Sequence, residues 1–190
     1  MKVLELFGGI GGFSYGIEKA VGKENYEIAG YYDIDKYATA VFNRNFGTRF
    51  KPTDIREVDE NEVPKHDLLC GGFPCQSFSI AGKRRGFEDT RGTLFFEIAR
   101  ILQAKRPPYF LLENVKGLLN HQKGETFRII LQTLDELGYD LQWMVLNSKF
   151  FGVPQNRDSD TQRYKMLGNA VTTNVVEEII RRLFEDVNLR

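Results

Sequence analysis

Short apolar runs alternate along this chain with longer stretches in which apolar residues recur at helical spacing. Strands are predicted for the apolar runs at residues 2–7, 26–33, 67–72, 109–115 and 139–147. Helices are predicted for the amphipathic stretches at residues 13–21, 35–46, 93–105, 126–138 and 171–184. Repeated strand–helix units favour an α/β fold, a mostly parallel sheet with right-handed crossovers and helices on both faces.

The residues that could carry chemistry follow the predicted strands. They are the glycine loop at 8–12, Asp33, Asp54, the loop around Cys75, and Glu113. In an open parallel sheet, ligands bind beyond the carboxyl ends of the strands. We therefore expect these residues to form one shared site.

Composition narrows the class of protein without naming a partner. The chain has 190 residues, which suits one domain, and its apolar runs are too short to cross a bilayer. The start of the sequence lacks a signal peptide's long apolar core, so we expect a cytoplasmic protein. The net charge is zero, and the two cysteines and two histidines are too few for a structural zinc site.

The glycine loop "ELFGGIGGF" could let the backbone approach a ligand closely. It is not a dinucleotide fingerprint, because Ser14 stands where the third glycine belongs, and taken alone it could be a simple turn. Asp33 follows the second strand, where a carboxylate can bind ribose hydroxyls. Asp54 could accept a hydrogen bond from an adenine amino group while Ile55 packs on the ring. These parts suit a nucleoside cofactor without a pyrophosphate, and S-adenosylmethionine is the obvious candidate.

The stretch "GGFPCQSFS" presents Cys75 after a proline on a glycine-led loop. A thiolate that adds to C6 of cytosine makes C5 nucleophilic toward a methyl donor, and an acid at N3 absorbs the charge that develops. Cys75 can supply the thiolate. Glu113, after the apolar run 109–112, can supply the acid, because burial raises a carboxyl pKa. Either residue alone is more simply explained as an inert thiol or a solvated carboxylate. Their combination beside a nucleoside site favours catalysis.

In these motifs the chain resembles the bacterial-type DNA (cytosine-5-)-methyltransferases. "LFGGIGGF", "YDIDKYA" and "TDI" look like the cofactor segments, "GGFPCQSFS" like the catalytic loop, and "ENV" like the acid motif. "FGVPQNR" is similar to the segment that lines the base pocket, and "RYKMLGNAVTTNVV" is similar to the closing motif. The resemblance covers nearly the whole chain and implies a Rossmann-like, S-adenosylmethionine-dependent methyltransferase fold.

The resemblance also implies roles for individual residues. Cys75 would be the nucleophile, Glu113 its acid partner at N3, and Arg157 a third catalytic residue in the base pocket. The implied cofactor-binding residues are Phe7, Gly9, Ile10, Gly12, Asp33, Ile34, Asp54, Ile55, Pro74, Leu94, Asn169 and Val171. The implied DNA-binding loop carries Gln76, Ser79, Lys83, Arg84, Arg85 and Arg91. Basic residues on this loop could contact phosphates while the enzyme flips a cytosine out of the duplex.

The chain departs from the family pattern after Arg157. The family places a second arginine two positions later, where this chain has Ser159, and then continues into another strand and a target-recognition domain. We therefore expect residues 1–158 to form the cofactor-binding and catalytic domain. Residues 159–190 would hold the closing motif and a C-terminal helix that packs back on the same domain. We expect the target-recognition domain to be missing near 158/159.

Several hypotheses remain open at this point. The chain could come from a full enzyme whose middle is missing from this sequence, or it could be a truncated form that binds cofactor without activity. An RNA cytosine-5 methyltransferase is disfavoured, because Cys75 lacks the additional preceding proline associated with that branch. Methyltransferases that act on exocyclic amines carry an Asn/Asp-Pro-Pro-aromatic tetrapeptide, which is absent here.

The resemblance implies partners as well. We expect S-adenosylmethionine as cofactor, S-adenosyl-L-homocysteine as product, and double-stranded DNA as substrate. We expect no membrane association, a monomer when the enzyme is intact, and a cognate restriction endonuclease in the same restriction-modification system. The expected location is the prokaryotic cytoplasm.

Overall fold

Four parallel strands form the sheet at the centre of this protein. The computed structural model describes residues 1–74, 94–151 and 172–188. The strands are β1 (Lys2–Leu6), β2 (Glu27–Tyr32), β3 (Leu68–Gly72) and β4 (Tyr109–Glu113), arranged in the order β2-β1-β3-β4. Every neighbouring pair in this order is parallel, which confirms the predicted α/β fold. The order reverses between β1 and β3, and such a switch point opens a crevice at the carboxyl ends of the strands.

Five α-helices lie among the described residues. They are α1 (Gly12–Val21), α2 (Lys36–Phe46), α3 (Leu94–Lys105), α4 (Glu125–Glu136) and α5 (Thr173–Asn188). Short 3₁₀ turns lie at Lys23–Asn25, Ile55–Glu57, Lys116–Gly124 and Ser148–Phe151. Across the described ranges, no helix combines the length and the apolar character that a membrane crossing needs.

Helices cover both faces of the sheet. Successive strand residues point to opposite faces, so each strand presents apolar side chains to the helices on both sides. On one face, Leu4, Leu6 and Leu69 join a buried cluster with residues of α3 and α4. On the other face, Val3 and Leu68 pack with residues of α1 and α5. A fully buried leucine or valine contributes roughly 1.5–3 kcal/mol of hydrophobic stabilisation, so the two clusters hold the strand ends in place.

The C-terminal helix α5 belongs to the same core as α1. Its residues Val176 and Ile180 are fully buried in the cluster around β1. Gly16 of α1 makes this approach possible, because an added Cβ there would lie 2.6 Å from Cβ of Val176. Lys19 of α1 also forms an ion pair with Glu177 at 2.7 Å. The predicted domain boundary at 158/159 lies outside the described residues.

The strand predicted at residues 139–147 is wrong. This segment has no strand pairing, although β4 could offer an edge. Trp143 and Met144 are 57% and 67% exposed, and the Trp143 ring touches the Phe127 ring at a centroid distance of 5.0 Å. An apolar run becomes a strand only when a neighbouring strand supplies hydrogen bonds and other elements cover its faces. The sequence pattern does not show whether that cover exists.

Candidate active site

A pocket opens at the carboxyl ends of β1 and β2, where the sequence places the cofactor residues. Its volume is about 180 Å³, and its lining residues come from the residue after β1, the end of β2 and the two residues that follow it, the 3₁₀ turn Ile55–Glu57 and the segment that leads into it, and the start of α3. The lining residues are Phe7, Tyr32, Asp33, Ile34, Thr53, Asp54, Ile55, Arg56 and Leu94. Phe7, Asp33, Ile34, Asp54, Ile55 and Leu94 are among the residues predicted to bind the cofactor. The fold thus brings together side chains that are far apart in sequence.

Phe7 reaches the pocket through an uncommon backbone conformation. Its φ angle is 57°, in the left-handed region that residues other than glycine rarely adopt. Its N–H donates to the carbonyl of Tyr32 at 2.8 Å, which keeps β1 and β2 together past the last paired residue of the strand. Such a conformation costs of order 1–3 kcal/mol and tends to occur at ligand sites.

The glycine loop is held in place by two side chains of the β2 region. The N–H of Gly9 donates to Oδ2 of Asp33 at 2.8 Å, and the hydroxyl of Tyr31 donates to the Gly9 carbonyl at 2.7 Å. Gly11 has a φ angle of 96°, and a Cβ added there would lie 2.2 Å from the Phe46 ring. Glycine is therefore required at position 11 by both backbone conformation and space.

Asp33 has a structural role that the sequence did not indicate. Its Oδ2 accepts from Gly9, and its Oδ1 accepts from the N–H of Asp35 at 2.8 Å. A carboxylate oxygen can accept two hydrogen bonds, so each oxygen keeps capacity for a ligand hydroxyl. Asp33 can therefore orient the glycine loop and bind a ribose at the same time.

Asp54 is paired with Arg56, a residue that sequence reasoning missed. The Arg56 backbone N–H and Nε each donate to Asp54 Oδ1 at 3.0 Å. Nη2 of Arg56 reaches Asp54 Oδ2 at 2.5 Å. These hydrogen bonds from Arg56 hold the pKa of Asp54 below its usual value. Tyr32 and Thr53 were also missed, although both stand next to residues that the motifs single out.

Glu113 ends β4 and lies beside the end of β3. Gly72 is its register partner, and a Cβ added at Gly72 would lie 3.4 Å from Glu113 Oε2. Glu113 is an exposed residue, yet the protein around it partly desolvates the carboxyl and raises its pKa above the ordinary value. Asn114 donates from Nδ2 to the Phe73 carbonyl at 2.6 Å. The acid motif is thereby tied to the chain two residues before Cys75.

Glu5, in the middle of β1, is a second carboxyl that the sequence did not single out. It is fully buried beneath the glycine loop, and its Oε1 accepts from the N–H of Ser14 at 2.8 Å and from the Ser14 hydroxyl. Burial raises its pKa to about 7. The available signal was an acidic residue inside the apolar run "VLELF".

Cys70, the cysteine that the structure describes, is a poor candidate for the nucleophile. It is fully buried in β3, and burial together with the nearby Glu5 carboxyl raises the pKa of its thiol. A thiol that stays protonated is a weak nucleophile. Cys75 therefore remains the candidate that the loop sequence indicates.

The remaining predicted residues fall into two groups. Gly9, Ile10, Gly12 and Pro74 are described but do not line the pocket: Gly12 begins α1, Ile10 is 48% exposed on the glycine loop, and Pro74 is exposed after β3. The others lie outside the described residues, namely Cys75, Gln76, Ser79, Lys83, Arg84, Arg85, Arg91, Arg157, Asn169 and Val171. Their predicted roles stay predictions. Within the described ranges, no cluster of side chains suits a metal ion.

Known proteins share this sequence and this fold. Type II methyltransferase M.NgoBI of Neisseria gonorrhoeae is 54% identical over 158 residues, which are 83% of this chain and 48% of that protein. Type II methyltransferase M1.ScrFI of Lactococcus lactis subsp. cremoris is 50% identical over 157 residues, which are 83% of this chain and 39% of that protein. The chain thus spans less than half the length of either relative.

A solved structure has the same fold. The Dnmt2 methyltransferase of S. pombe superposes with a TM-score of 0.61 at 28% identity, over 81% of this chain and 46% of that one. The family model described as C-5 cytosine-specific DNA methylase matches residues 1–159. That match includes the glycine loop, the residues that line the pocket, and the Cys75 and Glu113 motifs. This chain belongs to the C-5 cytosine-specific DNA methylase family.

Proposed function

We propose that this chain is part of a DNA cytosine-5 methyltransferase that transfers a methyl group from S-adenosylmethionine to C5 of a cytosine flipped out of double-stranded DNA. The observation that carries the proposal is the pocket at the ends of β1 and β2. It gathers Phe7, Asp33, Asp54 and Ile55 from three separate segments of the chain. Family membership supplies the reaction class.

The pocket residues suit an adenosine group by their chemistry. Asp33 keeps acceptor capacity for ribose hydroxyls, and Asp54 is an ionised acceptor for an amino group. Phe7 and Ile55 provide apolar surface for a planar ring. Bound there, S-adenosylmethionine would supply an electrophilic methyl group. The role of these residues is to hold the cofactor near the ends of β3 and β4.

Catalysis would depend on Cys75 and Glu113. The Cys75 thiolate forms a bond to C6 of cytosine, and Glu113 donates a proton to N3 as the ring gains electron density. C5 then bonds to the methyl carbon that the cofactor would supply, the bond from that carbon to the sulfonium sulfur breaks, and S-adenosyl-L-homocysteine would remain. A water molecule takes the C5 proton, the C5–H electrons re-form the C5=C6 bond and expel the Cys75 thiolate, the N3 proton returns to Glu113, and the ring becomes aromatic again. The raised pKa of Glu113 supports this role in direction, because desolvation makes the protonated form of the carboxyl more accessible to the donating step.

DNA is the proposed substrate, and the basic residues Lys83, Arg84, Arg85 and Arg91 are its proposed phosphate contacts. Arg157 would line the base pocket. Both relatives described above are named Type II methyltransferases and come from bacteria. We therefore propose that the intact enzyme acts as a monomer in a restriction-modification system, beside a cognate endonuclease in the prokaryotic cytoplasm.

A second candidate function is a form that binds cofactor without methylating DNA. The observation that favours it is length, since this chain spans 39% and 48% of the two relatives. The surface that identifies a target sequence would then be missing, and only phosphate contacts would remain. An intact mass near 21.9 kDa for the purified natural protein would support this form, and a much larger mass would oppose it.

Covalent trapping tests the proposed function directly. The natural protein is incubated with S-adenosylmethionine and duplex DNA in which 5-fluorocytosine replaces cytosine throughout, so that no target sequence has to be known. We expect an adduct that survives denaturing electrophoresis, because fluorine cannot leave C5 as a proton does. Cys75→Ser is expected to bind S-adenosylmethionine normally in calorimetry and to form no adduct. An adduct with Cys75→Ser at the wild-type rate would refute the nucleophile.

A further inference from the structure

Two walls of the cofactor pocket come from segments that do not adjoin each other in sequence. One wall is the 3₁₀ turn Ile55–Glu57, together with Asp54 at its N-cap. The other includes Leu94, the first residue of α3. A side chain that joins α3 to the turn would set the width of the pocket between them. Arg100 of α3 is such a side chain.

Arg100 reaches the turn through main-chain carbonyls. Nη2 donates to the Ile55 carbonyl at 2.9 Å, and Nη1 donates to the Val58 carbonyl at 3.0 Å. These two carbonyls lie at the first residue of the turn and at its C-cap. A planar guanidinium that binds both of them restrains the orientation of the turn as well as its distance from α3.

Two carboxylates hold the guanidinium in position. Glu97, one helical turn earlier in α3, accepts from Nε at 2.9 Å, and Glu60 accepts from Nη1 at 2.6 Å. The Arg100 side chain is 29% exposed and that of Glu97 is 9% exposed, so water competes weakly for the contact between them, whereas Glu60 is 41% exposed and its contact is more open to water. Hydrogen bonds to charged groups in such partly enclosed settings are stronger than those on an open surface.

We propose that Arg100 is a positioning residue for cofactor binding, which holds the turn with Asp54 and Ile55 at the correct distance from Leu94. This inference rests on the proposed function, because it assumes that the pocket binds the adenosine part of S-adenosylmethionine. Arg100 does not line the pocket. Its effect passes through the Ile55 carbonyl to the side chains that do.

Apolar packing keeps the turn attached to the core without Arg100. Ile55 is 3% exposed and belongs to the same buried cluster as Phe95 and Ile98 of α3. Loss of the guanidinium should therefore loosen the turn without unfolding the protein. The expected consequence is weaker cofactor binding, with little change in the rate of methyl transfer once cofactor is saturating.

The test uses the natural full-length protein with Arg100→Ala and Arg100→Lys. Arg128→Ala is the matched control, because Arg128 also pairs with a glutamate three residues earlier but lies on the exposed surface of α4. We expect Arg100→Ala to raise the Kd for S-adenosylmethionine about tenfold or more, with kcat at saturating cofactor within about twofold of wild type. Arg100→Lys should bind S-adenosylmethionine little better than Arg100→Ala, since one ammonium group cannot bind both carbonyls in the same geometry.

Chemical rescue separates positioning from general destabilisation. Millimolar guanidinium, compared with equal sodium chloride, should lower the Kd of Arg100→Ala and leave Arg128→Ala unchanged. An unchanged Kd in Arg100→Ala would overturn the proposal, as would a parallel loss of kcat and thermal stability that guanidinium does not reverse. Failure of the wild-type protein to bind S-adenosylmethionine would instead overturn the proposed function itself.

Discussion

The carboxyl groups at the carboxyl ends of β1 and β2 have different surroundings from the one at the carboxyl end of β4. On the β1–β2 side, Asp33 accepts two hydrogen bonds from backbone N–H groups, and the pKa of Asp54 is lowered by its bonds with Arg56. On the β3–β4 side, no hydrogen bond to Glu113 is found among the residues described, and desolvation raises its pKa. The same chemical group is thus suited to accept on one side and to donate a proton on the other.

This difference indicates that neighbouring hydrogen-bond donors and access of water, rather than residue type, decide the role of a carboxyl at the strand ends. Fixed N–H and guanidinium donors favour the ionised form, which binds hydroxyl and amino groups. Desolvation by surrounding protein shifts a carboxyl toward the protonated form, as the raised pKa of Glu113 shows. We therefore propose that the β1–β2 side binds the cofactor and that the β3–β4 side carries the acid chemistry, and each proposal can be tested by substitution.

The largest expected effect is that of Glu113→Gln. An amide cannot deliver a proton to N3, so we expect methyl transfer to fall ~10²-fold or more, the usual contribution of a general acid. The Kd for S-adenosylmethionine should stay at the wild-type value, because Glu113 does not line the cofactor pocket. Single-turnover methylation and calorimetry measure the two quantities. Normal transfer with this variant would mean that another group protonates the base.

Glu5 tests what sets the pKa of a carboxyl group in this protein: its side of the sheet, or the hydrogen-bond donors and water next to it. It lies on the binding side, yet burial raises its pKa from 4.5 to about 7, as desolvation does for Glu113. The folded state therefore holds this proton more tightly than the unfolded state. The free energy of unfolding should fall as the pH rises through the window from 4.5 to 7, by about 3 kcal/mol in total.

Urea unfolding of wild type and Glu5→Gln across this pH range measures the effect. The variant should lose most of the downward slope, because an amide does not titrate. Glu24→Gln is the control, since Glu24 is exposed and should keep the wild-type slope. A slope that is the same in Glu5→Gln and wild type would show that Glu5 does not hold its proton in the folded protein.

The next effect is that of Asp33→Ala and Asp54→Ala on cofactor affinity. Each change removes a partly buried hydrogen-bond acceptor worth ~1–3 kcal/mol, so we expect about tenfold weaker binding of S-adenosylmethionine or more. The rate of transfer at saturating cofactor should change little. Asp59→Ala is a matched control, because Asp59 accepts from the backbone of Asn61 at 2.8 Å in a similar turn outside the pocket. Wild-type affinity in both pocket variants would remove the cofactor from this site.

The smallest expected effect is a gain in affinity from Arg56→Ala. The Arg56 side chain is 58% exposed and occupies both oxygens of Asp54, so an adenine amino group has to displace it. Exposed ion pairs contribute little because water competes for both partners, so the gain in affinity for S-adenosylmethionine should be about fivefold at most. Calorimetry at low and high salt measures it, and added salt should narrow the difference. Weaker binding would show instead that Arg56 orients Asp54 for the ligand.

Much of the fold followed from the apolar pattern, because the pattern depends on local geometry. The predicted strand at 109–115 is observed as β4 (Tyr109–Glu113), and the predicted helix at 93–105 is observed as α3 (Leu94–Lys105). The predicted strand at 139–147 failed, although its residues are equally apolar. Strand formation depends on a neighbouring strand and on elements that pack over its faces, and no local sequence pattern contains that information.

The sequence by itself determined which elements form and which residues stand at the strand ends, because periodicity and turn residues act over a few positions. It therefore indicated Asp33, Asp54 and Glu113. Only the tertiary structure decided what those carboxyls do. The pairing of Asp54 with Arg56, the desolvation of Glu113 and the link from Arg100 to a carbonyl 45 residues away all depend on through-space distance and on exclusion of water. Those quantities exist only once the chain has folded.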